Sequence, residues 1–410
     1  MYVEITNFNI YKKKWDIESE TVIKPGLASI QKALKKLGNP QNKHRVIHVA
    51  GTNGKGSTIA FLSALAKEHG LTYGSFNSPS IVDVHDQIQL NGQNVTEQQM
   101  DEAFRKMQAA EISGMLTDFE LLTVVAFLVF EQIQLDFVFI ETGMGGRWDS
   151  TNVMDQSIAV IPSISIDHTN FLGDTIEQIS WHKAGIIKPN SKLIIGALPE
   201  GAKHIVQEVA SEQNARILEL GKNFSVQENT YTFGKITYND LQPQMLGKHQ
   251  LSNMALAITA LIESDVPLKE SIVQQAVKKA SLLGRMERVE EDIYFDGAHN
   301  EASIDALVET IKDVFPNKNV HFVVGILKDK DYIYMLRKLE GVATSFQFVD
   351  FHHERALPAN ILYSHSQHSE KCITKDINKI HFKNKDNSDI TIVTGSLYFL
   401  TEIRAKIVNW

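Results

Sequence analysis

Short apolar runs alternate with amphipathic segments along most of the chain. The first clear pair is Val46–Ala50, which is typical of a buried strand, and Ser57–Gly70, whose apolar residues recur at helical spacing. Upstream, Gly26–Leu37 shows the same helical spacing and is stopped by the sequence Gly38-Asn39-Pro40. Alternation of strands with helices predicts a mostly parallel sheet that is covered on both faces.

The alternation continues to about residue 262, with one more β-like stretch at Phe224–Tyr238. The predicted helices are Thr96–Met107, which Thr96 caps together with Gln99, and Glu120–Gln132, Ile176–Ala184 and Leu251–Ile262. The predicted strands are Phe137–Ile140, Ser157–Ile161, Ser163–Ile166 and Lys192–Ile195. Ligands of such sheets bind at the carboxyl ends of the strands, where the glycine-rich loops of this chain fall.

A second alternation follows a polar stretch near Gly284–Glu291. It predicts the strands Ile293–Phe295, His321–Gly325, Ser345–Phe351 and Ile390–Val393, the helix Glu301–Val314 and a polar loop at Lys383–Asp389. We therefore place a domain boundary near Arg288, which divides the chain into residues 1–287 and 288–410. The length of 410 residues suits two domains.

Composition narrows the class of protein. A hydrophobic share of 43% with 22% charged residues is ordinary for a soluble protein, and the net charge of −8 argues against nucleic acid or a membrane surface as partner. The single cysteine, Cys372, excludes disulfides within the chain and a cysteine metal cluster. The longest apolar stretch, Leu121–Phe130, is shorter than the roughly 20 residues that span a bilayer. We expect a cytoplasmic protein without a signal peptide.

The strongest local signal is a glycine-rich loop between the first strand and the following helix. Its residues are Gly51, Thr52, Asn53, Gly54, Lys55, Gly56, Ser57 and Thr58. Glycines let backbone N–H groups converge on phosphate oxygens, and the helix adds its positive end. Lys55 supplies a mobile charge, and Ser57 or Thr58 offers a hydroxyl to Mg²⁺ or phosphate. The spacing departs from the common G-x-x-x-x-G-K-[ST] pattern because Gly56 separates Lys55 from Ser57, yet the combination predicts nucleotide binding.

The loop VAGTNGKGST resembles the phosphate loop of folylpolyglutamate synthases and dihydrofolate synthases, within the Mur ligase superfamily. Further segments resemble that family in the same order: SPSIVDVHDQI, DFELLT, FIETGMGGRWDSTNV, SIDHTNFLGDTIEQISWHKAGIIKP, LGKHQLSNMALA, GRMERVEEDIYFDGAHN, GILKDKD and TGSLYFL. The resemblance implies an α/β fold, with a P-loop-type, ATP-binding N-terminal domain and a smaller Rossmann-like C-terminal domain. It implies that ATP and the substrates lie in the cleft between the two domains.

The resemblance also implies a reaction: ATP-dependent addition of L-glutamate to folate. Addition of the first glutamate to dihydropteroate is a second activity that the resemblance leaves open. A carboxylate is a poor electrophile, so the γ-phosphoryl group of ATP first converts it to an acyl phosphate, which the amine of glutamate attacks. Such a site needs Mg²⁺, positive charge near the phosphoryl group and firm placement of both substrates.

Several residues match functional positions of the family. Glu141 stands at a strand end, which suits a hard cation, and the resemblance assigns it, Ser78 and His168 to Mg²⁺, with two metal sites expected. Lys183 matches a lysine that can carry a carbamate, which would turn a cation into an anionic metal ligand. Lys55, Lys183 and His299 are the expected catalytic residues.

The resemblance places further residues near ATP. Asp296 and His299 belong to the DGAHN segment, and Asn253 matches an asparagine close to the adenine. Arg285 and Arg288 flank the domain junction, and we expect one of them, Arg288, to reach a phosphate group.

Departures from the family pattern concern the segment that follows Ser78. Ser80 stands where the family usually has histidine, and Asp86-Gln87-Ile88 stands where an arginine is usual. These differences bear on pterin binding and on dihydrofolate synthase activity.

Two other functions remain open. A peptidoglycan Mur ligase would carry an additional domain before the loop, for which Gly51 comes early. A non-catalytic folate- or nucleotide-binding relative would lack ATP hydrolysis that depends on both folate and glutamate. We expect a monomer.

Overall fold

The computed structural model describes residue 5 and residues 7–22, 26–382 and 388–407. The chain divides into two compact units, residues 1–244 with 251–280 and residues 245–250 with 281–410. The main division thus lies at 280/281, and the short segment 245–250 groups with the second unit. The sequence-based boundary stood at 287/288.

An eight-stranded sheet forms the centre of the first unit. Its strands are β1 (Val46–Val49), β2 (Tyr73–Phe76), β3 (Ile88–Leu90), β4 (Gln93–Asn94), β5 (Phe137–Glu141), β6 (Ile158–Ile161), β7 (Lys192–Ile195) and β8 (Arg216–Glu219). Their order is β4-β3-β2-β5-β1-β6-β7-β8, with parallel pairing from β2 to β8 and antiparallel pairing of β3 with β2 and β4. The predicted mostly parallel sheet is confirmed.

Helices cover this sheet on both faces. They are α1 (Phe8–Lys14), α2 (Ala28–Lys36), α3 (Lys55–Glu68), α4 (Glu97–Ala109), α5 (Asp118–Glu131), α6 (Thr169–Leu172), α7 (Ile176–Ala184), α8 (Glu200–Glu212), α9 (Lys248–Ile262) and α10 (Glu270–Lys279). One apolar cluster joins α1, α2, α4 and α5 to β2 and β5, and another joins α7 and α8 to β6 and β7. The β-like stretch forms a separate antiparallel sheet of β9 (Phe224–Gln227), β10 (Thr230–Phe233) and β11 (Ile236–Tyr238).

Local signals explain where several of these helices begin. Thr96 and Gln99 form the predicted capping box at the start of α4, and Thr117 with Glu120 forms another at α5. Helix α5 is buried all round from Leu121 to Phe130, which is why its sequence shows no polar face.

The second unit contains a six-stranded sheet, in the order β12-β13-β17-β14-β15-β16. Its strands are β12 (Glu287–Glu290), β13 (Ile293–Asp296), β14 (Asn319–Val324), β15 (Ser345–Val349), β16 (Lys371–Thr374) and β17 (Asp389–Thr394), and its helices are α11 (Glu301–Val314), α12 (Tyr332–Glu340), α13 (Ala359–His365) and α14 (Leu397–Ile407). Only β12 pairs antiparallel. Helices α11 to α13 pack on one face and α14 on the other, as expected for a Rossmann-like domain.

Two local predictions were wrong. Residues 163–166 form no strand, because their polar groups bond to the glycine loop instead of to a neighbouring strand. Asp389, predicted in a loop, begins β17, while residues 383–387 of that predicted loop lie outside the described residues. Within the described part of the chain, no helix combines the length and the apolar character needed to cross a membrane.

Candidate active site

The loop after β1 closes against a neighbouring helix at Gly54. This residue has a φ of +87°, in the left-handed region that favours glycine, and precedes α3. A Cβ atom at position 54 would lie 2.5 Å from Oδ1 of Asn253 on α9 and 3.0 Å from Cβ of Pro162. The structure therefore brings Asn253, predicted from the sequence as a nucleotide-site residue, directly against the glycine loop.

Hydrogen bonds join the glycine loop to the segment that follows β6. The Thr52 N–H donates to the Ser163 carbonyl at 2.9 Å, and the Thr52 hydroxyl donates to the Ser165 carbonyl at 3.1 Å. The Asn53 N–H donates to the Ser163 hydroxyl at 3.0 Å, which in turn donates to the Asn53 carbonyl at 2.9 Å. These bonds fix the conformation of Thr52 and Asn53 in the first part of the loop. The N–H groups at the start of α3 have no acceptor within the helix and can bind an anionic ligand.

Lys55 begins α3 and bends back over the loop. Its Nζ atom donates to the carbonyls of Gly51 at 3.1 Å and Thr52 at 3.3 Å. The hydroxyl of Thr58 donates to the Gly54 carbonyl at 2.8 Å, inside the helix. Because the Thr58 hydroxyl is already bonded within the helix, Ser57 is the better placed of the two predicted hydroxyl residues.

Glu141 lies beside Lys55, at the carboxyl end of β5. Strands β1 and β5 are neighbours and pair Val49 with Glu141, so that the loop after β1 and this carboxylate emerge at the same edge. The Lys55 Nζ atom is 3.9 Å from Oε1 of Glu141, whose residue is only 6% exposed. A cation and a largely buried carboxylate thus meet at the mouth of the glycine loop.

Lys183 stands in the last turn of α7 and is 3% exposed. Burial, together with the nearby charge of Lys55, lowers the pKa of Lys183 to about 7, against the opposing influence of Asp167 and Asp149. A large fraction of the amine is therefore neutral near pH 7. This electrostatic coupling shows that the structure gathers Lys55, Lys183 and Asp167 in one region.

A tight glycine turn follows Glu141 and packs against the end of α7. At Gly146 a Cβ atom would lie 2.9 Å from the carbonyl oxygens of both His182 and Lys183. The Arg147 N–H donates to the His182 carbonyl at 2.7 Å. The absence of a side chain at Gly146 thus lets the turn reach the end of α7 that carries Lys183.

Asp149 holds this turn and was not singled out from the sequence. Its carboxylate accepts from the Met144 N–H at 2.7 Å, the Thr151 N–H at 3.0 Å and the Thr151 hydroxyl at 2.5 Å. Burial raises the pKa of Asp149, although these hydrogen bonds oppose that rise. The Asp-Ser-Thr sequence after a glycine turn is the signal that points to such local bonding.

Ser78 and His168 are the other two residues that the resemblance assigns to a metal ion. Ser78 follows β2, which pairs with β5 in a register that sets Phe76 beside Ile140. His168 precedes α6 with a φ of +52°, a conformation that is uncommon for residues other than glycine, and its side chain is 45% exposed. Ser78 therefore lies close to the strand end that carries Glu141, whereas His168 directly follows Asp167, whose charge acts on Lys183.

The predicted residues of the second unit form a group of their own. Asp296 ends β13 and accepts from the N–H groups of Met286 at 2.9 Å and Ala298 at 3.0 Å. Burial raises the pKa of Asp296, although Arg285 opposes this shift. The Nδ1 atom of His299 lies 2.7 Å from the Gly297 carbonyl, with which it shares a hydrogen bond.

Of the two arginines considered from the sequence, Arg285 is the one that neighbours Asp296. A Cβ atom at Gly297 would lie 2.5 Å from Nη1 of Arg285. Arg288 is exposed on β12, opposite Tyr294, and its predicted contact with phosphate stays a prediction.

The donor set decides how a cation fits the site. Among the residues that the structure describes, no three His, Cys, Asp or Glu side chains come together as a metal cluster. Glu141 supplies one buried carboxylate beside a phosphate loop, so a divalent ion there would complete its shell with hydroxyl and phosphate oxygens. This donor chemistry fits Mg²⁺, which usually combines one or two carboxylates with substrate phosphates and water.

Most of the chain is similar to proteins of known family. Residues 49–261 match the Mur ligase middle domain, and residues 284–397 match the Mur ligase, glutamate ligase domain. The dihydrofolate synthase/folylpolyglutamate synthase of Bacillus subtilis (strain 168) is 35% identical over 415 aligned residues, which cover 94% of this chain and 95% of that protein.

Solved structures show the same similarity. The Escherichia coli FolC structure in complex with DHPP and ADP has a TM-score of 0.89 and 28% identity, with 97% of each chain covered. A bifunctional folylpolyglutamate synthase/dihydrofolate synthase with manganese, AMPPNP and L-glutamate bound has a TM-score of 0.86 and 29% identity, with 94% of each chain covered.

Proposed function

The chain belongs to the dihydrofolate synthase/folylpolyglutamate synthase family, which is built on Mur ligase domains, and we propose that it joins L-glutamate to folates by way of an acyl phosphate. It is an ATP-dependent ligase that uses a divalent metal ion. The observation that supports our assignment of the site is that Lys55, at the start of the glycine-loop helix, lies beside the buried carboxylate of Glu141 and near the buried amine of Lys183.

Residues of the loop would bind and orient the triphosphate. N–H groups at the start of α3 and the ammonium of Lys55 offer positive charge where phosphate oxygens carry negative charge. For the γ-phosphoryl group, Lys55 would leave the carbonyls of Gly51 and Thr52 and turn to the phosphate. The phosphoryl group passes to the substrate carboxylate as ADP leaves. The glutamate amine then forms the amide bond as phosphate leaves.

Glu141 and Ser78 would hold one magnesium ion and His168 a second one. Magnesium, when bound, neutralises the charge that develops on the phosphoryl oxygens. Glu141 is well suited because a buried carboxylate gains more from a cation than an exposed one does. Since His168 is a nitrogen donor, its proposed role rests on the family resemblance.

Lys183 is suited to carry a carbamate. Only a neutral amine adds to CO₂, and the pKa of about 7 leaves much of this amine neutral at physiological pH. The nitrogen forms a bond to carbon and releases one proton, so the lysine becomes an anion. That anion would face Lys55 and a metal ion in place of a buried cation, which removes the repulsion between the two lysines.

In the second unit, Asp296, His299 and Arg285 or Arg288 are the proposed contacts to ATP, as Asn253 is in the first. Asp296 lies next to Arg285, and the His299 ring is oriented by the Gly297 carbonyl. Of these groups we propose His299 as the catalytic one. We also propose that the protein is a cytoplasmic monomer, since all of these assignments lie within one chain.

The acid substrate is the open part of the assignment. The family includes bifunctional members, and the E. coli relative has DHPP bound. A second activity, the first glutamate addition to dihydropteroate, is therefore a specific alternative for the same site.

The test offers ATP, Mg²⁺ and labelled glutamate with dihydropteroate in one tube and tetrahydrofolate in another. We expect labelled product with tetrahydrofolate, and product with dihydropteroate as well if the enzyme is bifunctional. ATP hydrolysis should require both the folate and glutamate. ATP hydrolysis that continues when the folate or glutamate is left out would contradict the assignment. So would the absence of labelled product in both tubes.

Lys183→Glu and Lys183→Ala test the carbamate. Glutamate supplies an anion at position 183 and should retain part of the activity without bicarbonate, whereas alanine should retain none. Equal activity of Lys183→Ala and the wild type would remove Lys183 from the site.

A further inference from the structure

The second unit contains a cavity on one face of its sheet. The cavity has a volume of about 450 Å³, within the range of roughly 300–1,000 Å³ that is common for small-molecule sites. Strands β14, β15 and β16 and Thr391 of β17 form its floor, and the segment after β16 forms its rim. Thr391 stands three residues before Thr394, which pairs with Asp296 at the carboxyl end of the strands. Among the described residues that line the cavity there is none of the proposed contacts to ATP.

The sheet face under the cavity changes from polar to apolar along the strands. Because side chains alternate between the two faces, residues two positions apart in a strand share a face. In three neighbouring strands a polar residue stands two positions before a valine, namely Thr391 in β17, His321 in β14 and Gln347 in β15. The valines belong to the apolar cluster that includes α14. The three polar residues continue the same face and line the cavity instead.

The polar side chains of the floor are largely buried. The Gln347 amide donates to the Thr374 hydroxyl at 2.6 Å, and these residues are 8% and 9% exposed. Nδ1 of His321 lies 2.8 Å from the Ser345 hydroxyl, and Thr391 is completely buried. Strands of a parallel sheet that is covered on both faces are usually apolar throughout. Packing alone therefore does not account for this row of polar groups.

His321 has one hydrogen-bonding group without a partner at this floor. When Ser345 donates to Nδ1, the neutral ring carries its proton on Nε2. Nε2 is shielded from solvent and makes no hydrogen bond within the part of the chain that the structure describes. Oδ1 of Asp389 is 3.6 Å away, beyond hydrogen-bonding distance, and accepts from the Asn319 amide at 2.9 Å. Buried donors are nearly always paired in folded proteins, and an acceptor on a bound molecule would pair this one.

The rim of the cavity adds positive charge. Lys375 and Lys379 line the cavity and are exposed, and neither belongs to an ion pair with any of the described residues. Asp376 lies on the same rim, where Oδ1 of its carboxylate accepts from the Asn378 N–H at 3.0 Å and from the Asn378 amide at 2.9 Å. Two ammonium groups against one carboxylate leave the rim attractive to an anion.

We propose that this cavity is a second ligand site, which binds a planar heterocycle that carries an anionic group. The ring would lie on the flat sheet face over Val323, with its hydrogen-bonding edge towards His321 and Gln347. The anionic group would lie at Lys375 and Lys379. A nucleoside monophosphate and a pterin carboxylate share this chemistry. The site is separate from the ligation site and does not depend on which acid the enzyme ligates.

Cys372 offers a direct readout because it is the only cysteine of the chain, is exposed and lines the cavity. The whole protein is alkylated with iodoacetamide, and the rate is followed by intact mass. GMP, pterin-6-carboxylate and inorganic phosphate are added in separate series. GMP or pterin-6-carboxylate should slow alkylation of Cys372 about tenfold at saturation, because a pocket encloses most of its ligand and the ligand covers the walls. Inorganic phosphate lacks the ring and should leave the rate unchanged.

Substitutions on the rim and the floor test where the probe binds. Lys375→Gln combined with Lys379→Gln should raise the half-protecting concentration about tenfold, or about 1.4 kcal/mol, as expected for two exposed ion pairs. Lys312→Gln is the matched control, since Lys312 is also exposed but stands on α11, which packs on the other face of the sheet. His321→Phe keeps a planar ring without nitrogens and should raise the same concentration about tenfold.

Protection by GMP, by pterin-6-carboxylate or by both supports the proposal and identifies the source of the heterocycle. If none of the three probes protects Cys372, the cavity is not such a site. Equal protection by inorganic phosphate would refute the requirement for a ring. Protection that both the lysine pair and His321→Phe leave unchanged would place the probe elsewhere and overturn the proposal. Should His321→Phe not fold, the two exposed lysines still decide the question. The assay needs no ligation, so failure of the proposed function leaves its result unaffected.

Discussion

Replacement of Lys183 by methionine should make the protein more stable while abolishing ligation. A lysine that is 3% exposed must lose its hydration shell on folding, and Lys55 nearby repels its charge. Methionine has a similar length and no charge, so it escapes this cost. The gain in stability and the loss of activity then share one cause, namely that the site keeps an amine where folding alone disfavours it.

The magnitude follows from the pKa of Lys183, which falls from 10.5 to about 7. At about 1.4 kcal/mol for each pKa unit, the charged lysine costs the folded state about 5 kcal/mol below pH 7. Between these two pKa values the unfolded chain binds a proton that the folded chain has released, so stability rises with pH. The advantage of Lys183→Met should therefore be about 5 kcal/mol at pH 6 and about 2 kcal/mol at pH 9.

Guanidinium unfolding of both proteins at pH 6 and pH 9 measures this difference. Buffers are kept free of CO₂, because a carbamate would change the charge of Lys183. Lys67→Met on the exposed surface of α3 is the control and should match the wild type at both pH values. An advantage of Lys183→Met that is absent at pH 6, or equal at pH 6 and pH 9, would refute the reasoning.

Three further substitutions test the loop and its support. Lys55→Ala should abolish nearly all ligation in the glutamate assay. It should lower the free energy of unfolding by less than about 1 kcal/mol, since Nζ donates to two loop carbonyls and lies 3.9 Å from the Glu141 carboxylate, at the outer limit of an ion pair. Undiminished product would contradict the assignment. Gly54→Ala should lower the free energy of unfolding by about 2–4 kcal/mol, because φ is positive at this position and the new Cβ atom would overlap with Asn253. The same change should raise KM for ATP. Wild-type stability in a denaturant titration would argue against that packing. Asp149→Ala should lower the free energy of unfolding by about 2–4 kcal/mol, because it leaves the N–H groups of Met144 and Thr151 without their acceptor. A thermal melt that matches the wild type would exclude this role.

Much of the fold is encoded in local patterns. The apolar run at residues 46–49 and the glycines after it produce the predicted strand, loop and helix, and α7, β7 and α11 have the predicted bounds. Capping residues such as Thr96 act within one turn of the chain, so the sequence shows them directly. By contrast, β2 is a short Tyr-Gly-Ser-Phe segment whose burial comes from its neighbours, and the pattern did not reveal it.

The candidate site divides in the same way. Lys55, Glu141 and Lys183 were found from motifs, but their separation and the lowered pKa of Lys183 depend on strand order and on burial by distant segments. Asp149 was missed because its role lies in hydrogen bonds to the glycine turn. Ser163 was predicted in a strand because its loop partner, Asn53, lies far away in the sequence.

By itself the sequence determined the kinds of element, the chemistry of the glycine loop and the family. Propensity, periodicity and capping depend on neighbours within a few residues, so they can be read along the chain. Only the tertiary structure decided that β5 lies between β2 and β1, that Asn253 packs against Gly54 and that Lys183 is buried away from solvent. Desolvation and electrostatic coupling depend on all the atoms that surround a group, and folding brings most of those atoms from remote parts of the chain.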